Sequence, residues 1–85
     1  MNYAASQYQY RYWTDMCNQY WNNFHHLSCP QLLQGATACE EMALWREYHS
    51  NRFFNGPDAE HQGYINNARY RSNLLLAAFR HECGH

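Results

Sequence analysis

The sequence predicts an all-α protein, a small three-helix bundle in which the 85 residues form one domain. Two observations carry this prediction. Residues 57–83 keep one helical period of apolar side chains and hold the only dense aliphatic run. The tetrapeptide at 55–58, Asn-Gly-Pro-Asp, has the composition that ends one helix and begins the next. A connection this short predicts that the helices on either side of it are antiparallel neighbours.

The third helix, predicted over 57–83, is the clearest element of the sequence. Its inward face is formed by side chains three or four residues apart: Ile65, Ala68, Ser72, Leu75 and Phe79. A helix of this length measures about 40 Å, at 1.5 Å per residue, so two shorter helices fit along it. We therefore expect the rest of the chain to be organised around this helix.

The first helix is predicted over 5–26, with residues 1–4 frayed. Tyrosines alternate with polar residues from Tyr8 to Tyr12, which is the period of a half-buried strand, and that alternative stays open. Two helical rows compete with it, one formed by Tyr12, Met16, Tyr20 and Phe24 and the other by Trp13, Cys17 and Trp21. A helix is favoured because no other segment offers a partner strand.

The second helix is predicted over 38–54, after a short helical turn near 30–34 and a break at Gly35. Ser28 is followed three residues later by Gln31, which is the form of a capping box. The apolar period changes phase at Gly35, and this change predicts the break. The predicted core draws on all three helices and comprises Tyr12, Met16, Tyr20, Phe24, Met42, Trp45, Phe53, Ile65, Ala68, Leu75 and Phe79.

Charge and cysteine usage narrow the functional classes. The formal net charge is −1 and all six basic residues are Arg, so the sequence lacks the basic excess that binding to phosphate backbones requires. No apolar run approaches the length of a membrane span, and no signal sequence is recognised at the N-terminus. We therefore expect a soluble, cytoplasmic chain, in which four cysteines are more typical of thiols or metal ligands than of disulfides. If they pair, three connectivities are possible.

One zinc site is an alternative that the sequence leaves open. Antiparallel helices bring soft ligands to one end of the bundle, and four of them suit a tetrahedral zinc ion: His25, Cys29, Cys39 and Cys83. The sequence contains no Cys-x-x-Cys pair. Free thiols at the edge of the core and solvated histidines are therefore the favoured interpretation, with no cofactor.

Catalysis and nucleic-acid binding are the weaker functional alternatives. Cys17 and His49 would be a nucleophile and a base if they faced one another, but no pattern in the sequence fixes that geometry, so we predict that the protein is not an enzyme. Arg69, Tyr70 and Arg71 interleave cations with a ring, as single-stranded nucleic-acid binders do. The plainer interpretation is that each Arg covers a ring or pairs with a Glu.

Protein binding is the function that the sequence favours. The first helix carries more aromatic surface than a three-helix core of this size can cover, and exposed aromatic and Arg side chains are typical of interfaces. We predict a stoichiometric inhibitor, adaptor or regulator that also forms a homodimer; a phage or plasmid origin is suggested by analogy of size and class alone. The candidate binding residues are Tyr12, Trp13, Tyr20, Trp21, Leu74, Leu76, Arg69 and Arg71.

Overall fold

The computed structural model describes residues 1–84 and confirms the all-α fold. Three helices follow one another: α1 over Tyr3–Asn22, α2 over Cys29–Phe53 and α3 over Ala59–Glu82, with a 3-10 turn at Phe24–His26. Within these residues the chain forms no strand, so the strand alternative for the tyrosine-rich stretch is excluded. The bundle is elongated, with principal extents of 41 × 22 × 21 Å.

Side-chain caps begin each of the three helices. The predicted capping box is confirmed, because Ser28 accepts from the Gln31 amide while the Gln31 side chain accepts from the Ser28 amide. Asp58 caps α3 by accepting from the His61 amide at 2.8 Å. Asn2 caps α1 by accepting from the Ala5 amide at 2.8 Å, so the segment 1–4, predicted as frayed, contains the cap and the start of α1.

The predicted break at Gly35 is wrong, because α2 is continuous from Cys29 to Phe53. Gly35 is buried at a close contact between α2 and its two neighbours. A β-carbon added there would lie 2.9 Å from the Tyr20 Cβ and 3.3 Å from the Leu75 Cδ1. The glycine therefore serves packing between helices, and the phase change of the apolar pattern reflects a helix that buries two faces.

The central helix is α2, and this corrects the expectation that the chain is organised around the third helix. Extensive contacts join α2 to α1 and to α3, whereas α1 and α3 contact each other sparsely in residues 1–84. Many of the residues that α2 buries are small, which allows both neighbours to approach its backbone. They include Gly35, Ala36, Ala38, Cys39, Ala43 and Ser50.

The core agrees with the prediction at three residues of α3 and at Met42 of α2, and differs on α1. Ile65, Ala68 and Leu75 are at most 1% exposed and Met42 is 9% exposed, as predicted. Tyr12 is 44% exposed, so its place in the predicted core is wrong. On α1 the fully buried side chains are Ser6 and Cys17, which follow a different stripe. The other predicted core residues are half-buried at the rim: Met16, Tyr20, Phe24, Trp45, Phe53 and Phe79.

Two disulfides join the helices, which corrects the expectation of thiols or metal ligands. Cys17 of α1 is bonded to Cys39 of α2, with 4.6 Å between their α-carbons. Cys29 at the start of α2 is bonded to Cys83 after the end of α3, with 5.9 Å between theirs. Both separations suit a disulfide. The expectation of thiols followed from an assumed reducing compartment and not from helix geometry.

Alanine substitutions at two helical glycines are expected to have opposite effects on stability. At Gly35 the close contact with Tyr20 costs about 1–3 kcal/mol, and the better helix propensity of alanine returns about 1 kcal/mol, so Gly35→Ala lowers stability by about 1 kcal/mol. Gly63 of α3 is exposed with no atom within 4 Å of an added β-carbon, so Gly63→Ala raises stability by about 0.5–1 kcal/mol. Denaturant melts measure the free energy of unfolding of both variants. An equal gain in stability from the two substitutions would contradict the close packing at Gly35.

Candidate functional site

An aromatic face runs along α1 and is formed by Tyr8, Tyr12, Trp13, Met16 and Tyr20. Tyr8 is 66% exposed and Tyr12 is 44% exposed, and their rings stack with centroids 6.5 Å apart. Across all of α1 the charged side chains are Arg11 and Asp15, so this helix lacks the dense charge of an ordinary solvated surface. Tyrosine, tryptophan and methionine with little charge are typical of the centre of a protein interface.

A groove of about 370 Å³ borders this face where α1 meets α2. Its α1 wall is part of the aromatic face, from Tyr12 to Tyr20, and its α2 wall includes Leu33, Thr37 and Ala38. Leu33 is 40% exposed there. The Tyr20 hydroxyl donates to the Gln34 side chain at 3.1 Å and so fixes one end of the groove. Three of the predicted binding residues, Tyr12, Trp13 and Tyr20, therefore line one surface.

The predicted binding residue Trp21 lies on another side of α1. On the helical wheel, Met16 and Tyr20 fall on one side of the buried Cys17, and Trp21 falls on the other. There the Arg71 guanidinium of α3 covers the Trp21 ring at 5.2 Å and donates to Asn18 at 2.9 Å. Trp21 and Arg71 thus serve contact between α1 and α3.

The remaining predicted binding residues lie on α3, away from the groove. The Arg69 guanidinium donates to both carboxylate oxygens of Glu47, at 3.3 and 3.4 Å, and Nε lies 3.8 Å from Glu40. The hydrogen bonds to Glu47 raise the pKa of Arg69. Leu74 is 36% exposed, and Leu76 packs half-buried against the core. The plainer interpretation of the arginines, that each covers a ring or pairs with a Glu, is what the structure shows for Arg69 and Arg71.

The predicted zinc ligands are not assembled. Cys29 and Cys83 are bonded to each other, Cys39 is bonded to Cys17, and His25 is exposed on the 3-10 turn. A disulfide sulfur has no thiolate to offer a metal. Between residues 1 and 84, no group of three or more His, Cys, Asp or Glu side chains is arranged to hold a metal ion.

A second concave site, which sequence reasoning missed, lies where the start of α1 meets the end of α2 and the turn into α3. This end cavity has a volume of about 410 Å³. Gly56 has a φ of +103°, which few other residues adopt, and so turns the chain to bring the start of α3 here. In the sequence, the Gly-Pro-Asp tripeptide at 56–58 was the local signal for this turn. The polar and aromatic lining includes Tyr3, Tyr10, Arg46, His49, Asp58 and His61.

His49 is the most deeply buried side chain of the end cavity, at 5% exposure. Its Nδ1 lies 2.5 Å from the Ser6 Oγ, and the Ser6 hydroxyl donates to the Tyr3 carbonyl at 3.1 Å. Burial, and secondarily the charge of Arg46, lower the pKa of His49, so its ring is neutral at pH 7. We assign the proton of the neutral ring to Nδ1, because the Ser6 oxygen can accept from His49 when its hydroxyl donates to the Tyr3 carbonyl.

The pair of Cys17 and His49 considered for catalysis is not formed. Cys17 is in a disulfide and His49 bonds to Ser6 instead. Ser6 is fully buried, so its hydroxyl is out of reach of a substrate. The Ser6–His49 contact is therefore a structural link between α1 and α2.

Acidification is expected to destabilise the fold through His49. Its folded pKa lies below the ordinary 6.5, so the unfolded chain takes up a proton first, and stability falls as pH drops below about 6.5. His49→Gln should weaken this dependence, and His26→Gln, at an exposed position, is the matched control. Urea melts between pH 5 and pH 8 measure it. Equal pH dependence in both variants contradicts the role of His49.

The fold and these two concave surfaces define a small all-α protein in which the central helix is tied to each neighbour by one disulfide. Comparison with protein-family models, curated proteins and solved structures finds no match to the chain. Across residues 1–84, no helix combines the length and apolar character needed to cross a bilayer.

Proposed function

We propose that this chain is a protein-binding module that acts stoichiometrically, as an inhibitor, adaptor or regulator, through the aromatic face of α1 and its groove. One observation carries the proposal. A helix of 20 residues exposes Tyr8 and Tyr12, carries only one cation and one anion, and borders a groove with an apolar wall at Leu33. Solvated helices usually distribute charge along such a face, whereas interface centres are depleted of charge.

A second copy of the chain is the partner that the charges favour. Arg11 and Asp15 are exposed, and neither has an ion-pair partner within 4.0 Å in residues 1–84. When two α1 helices pair antiparallel about a two-fold axis near residue 13, Arg11 of each copy comes beside Asp15 of the other. The two Tyr12 rings then meet near the axis. A two-fold contact of this kind is the commonest closed assembly.

The proposed protein binds its partner without catalysis, and it works in an oxidising compartment. Neither Cys17 nor Ser6 is available as a nucleophile, which supports binding over catalysis. The two disulfides favour an oxidising compartment over the cytoplasm expected from sequence. A phage or plasmid origin rests, as before, on analogy of size and class.

Sedimentation equilibrium of the oxidised chain tests self-association. We expect Tyr12→Ala to weaken the dimer about thirtyfold, since a central aromatic anchor is typically worth 2 kcal/mol or more. Tyr70→Ala is the matched control, because Tyr70 is 59% exposed on α3, and it should leave the dimer unchanged. A chain that stays monomeric at about 1 mM, where even a binding free energy of about −4 kcal/mol would be visible, contradicts the dimer.

A charge exchange tests the antiparallel geometry. Arg11→Asp should weaken the dimer because it places like charges opposite each other, and the double variant Arg11→Asp/Asp15→Arg should restore it. Circular dichroism controls for folding, since a like-charge i,i+4 pair costs an isolated helix only about 0.5 kcal/mol. Failure of the double variant to recover contradicts the antiparallel arrangement while leaving the aromatic anchors to be judged by Tyr12→Ala.

A further inference from the structure

His49 presents a free hydrogen-bond acceptor at the end cavity. With the ring proton assigned to Nδ1, which faces Ser6, the Nε2 of His49 carries a lone pair. In residues 1–84 this nitrogen makes no hydrogen bond, yet it retains contact with solvent. A side chain that is 95% buried thus has one polar atom open toward the cavity that it lines.

Arg46 contributes an unpaired cation to the same cavity. Its guanidinium carbon lies 4.6 Å from the centroid of the Tyr10 ring and 5.3 Å from that of Tyr64. Within the described residues no carboxylate lies within 4.0 Å of it, and its buried Nε has no hydrogen-bond partner. Two rings therefore hold the guanidinium in place, while its terminal NH2 groups remain free for an anion.

Asp58 contributes the opposite charge. Its Oδ1 accepts from the His61 amide at 2.8 Å and lies 2.7 Å from the His61 Nδ1, and these hydrogen bonds lower the pKa of Asp58, so it is ionised at neutral pH. The Asp58 side chain remains 67% exposed, so its carboxylate is open to a ligand as well as to His61. Arg46 and Asp58 line one cavity without forming an ion pair, so the cavity offers a separated cation and anion.

We infer that the end cavity binds a free amino acid with an aromatic side chain as its zwitterion. The carboxylate of the ligand lies beside Arg46 and its ammonium group beside Asp58, with the His49 Nε2 accepting a second ammonium hydrogen. Tyr3, Phe54 and the other rings of the cavity provide the apolar wall for the ligand ring. The volume of about 410 Å³ lies within the range of small-molecule sites. This site is independent of the aromatic face of α1.

Binding of L-phenylalanine to the oxidised chain tests the inference. In an amide NMR titration we expect saturable shifts at residues around the cavity. Phenethylamine, which lacks the carboxylate, and N-acetyl-L-phenylalanine, which lacks the ammonium group, should each bind about tenfold or more weakly, because each loses a charged hydrogen bond. L-Alanine, which lacks the ring, should also bind more weakly. This ligand series needs no variant, so it does not depend on a mutant folding.

Matched variants locate the site. Arg46→Gln and Asp58→Asn should weaken L-phenylalanine about tenfold or more, and Asn keeps the capping function at position 58. Arg52→Gln is the control, because Arg52 is exposed on the same helix and does not line the cavity. Absence of shifts at about 10 mM L-phenylalanine overturns the inference. At that concentration a binding free energy of about −3 kcal/mol would already give visible shifts. Equal binding of phenethylamine, or shifts unaffected by both cavity variants, overturns it as well.

Discussion

Replacing both Cys29 and Cys83 by serine is expected to lower the free energy of unfolding by about 4 kcal/mol. The two residues are 54 positions apart, and the chain-entropy model assigns about 4 kcal/mol to closing a loop of that length in the unfolded chain. Native domains of this size have a total stability of roughly 4–13 kcal/mol, at 0.05–0.15 kcal/mol per residue. Loss of this disulfide therefore removes a large share of the stability.

Because this disulfide lies near the surface, the measurement reports mainly the loss of the cross-link. Cys29 is exposed and Cys83 is half-buried, so serine at these positions creates little cavity in the core. Urea melts of the oxidised wild type and of the double variant, without reductant, give the difference. The control is to repeat both melts under reduction, where the two proteins should differ much less. A difference below about 1 kcal/mol between the oxidised forms contradicts a stabilising role.

The two disulfides also explain how a small hydrophobic core can hold the three helices together. Chains of this length bury a modest fraction of their surface, and α2 contributes mainly small side chains to the core. One disulfide fixes α1 on α2 and the other fixes α3 on α2, so each outer helix has a covalent link to the centre. Because α1 and α3 contact each other sparsely, neither link duplicates the other.

The sequence predicts most reliably those elements whose signals are local. The buried stripe of α3 was predicted because Ile65, Ala68 and Leu75 recur with the helical period on a helix that buries mainly one face. The capping box at Ser28 was predicted because its two partners are three residues apart. Such features depend on neighbours in the sequence and not on how the helices pack.

The features that sequence reasoning missed depend on distant partners. The role of Gly35 depends on Tyr20, and the periodicity of α2 was misread because this helix buries a face against each neighbour. Pairing of the cysteines depends on which residues face each other across helices, and four cysteines alone allow three pairings. The end cavity depends on the meeting of three segments, so only its Gly56 turn had a local signal.

The predicted binding residues share one surface only in part, for the same reason. Tyr12, Trp13 and Tyr20 share one side of α1 by their spacing alone, and they line the groove together. Trp21 was grouped with them because aromatic side chains look equivalent in sequence. Its covering by Arg71, 50 positions later in the chain, could be seen only once α3 was placed.

Alanine substitution of two adjacent leucines on α3 is expected to separate core packing from surface contact. Leu75 is fully buried and Leu74 is 36% exposed, although both are leucines in the same helical turn. Leu75→Ala should lower the free energy of unfolding by about 2–5 kcal/mol, because it removes buried apolar contacts and leaves a cavity beside Gly35. Leu74→Ala should cost less than about 1 kcal/mol, because its side chain already meets water.

Thermal and urea melts of the oxidised chain measure the stability of both leucine variants. The same variants also test whether Leu75 packs against Gly35. Because the Leu75 Cδ1 lies 3.3 Å from the position of a β-carbon on Gly35, Leu75→Ala should also reduce the penalty of Gly35→Ala in a double-mutant cycle. Leu74→Ala provides the background in which that coupling should be absent. Similar losses of unfolding free energy in Leu74→Ala and Leu75→Ala would contradict the burial of Leu75 against α2. If both leucine variants coupled equally to Gly35→Ala, the close contact of the three helices at Gly35 would be contradicted.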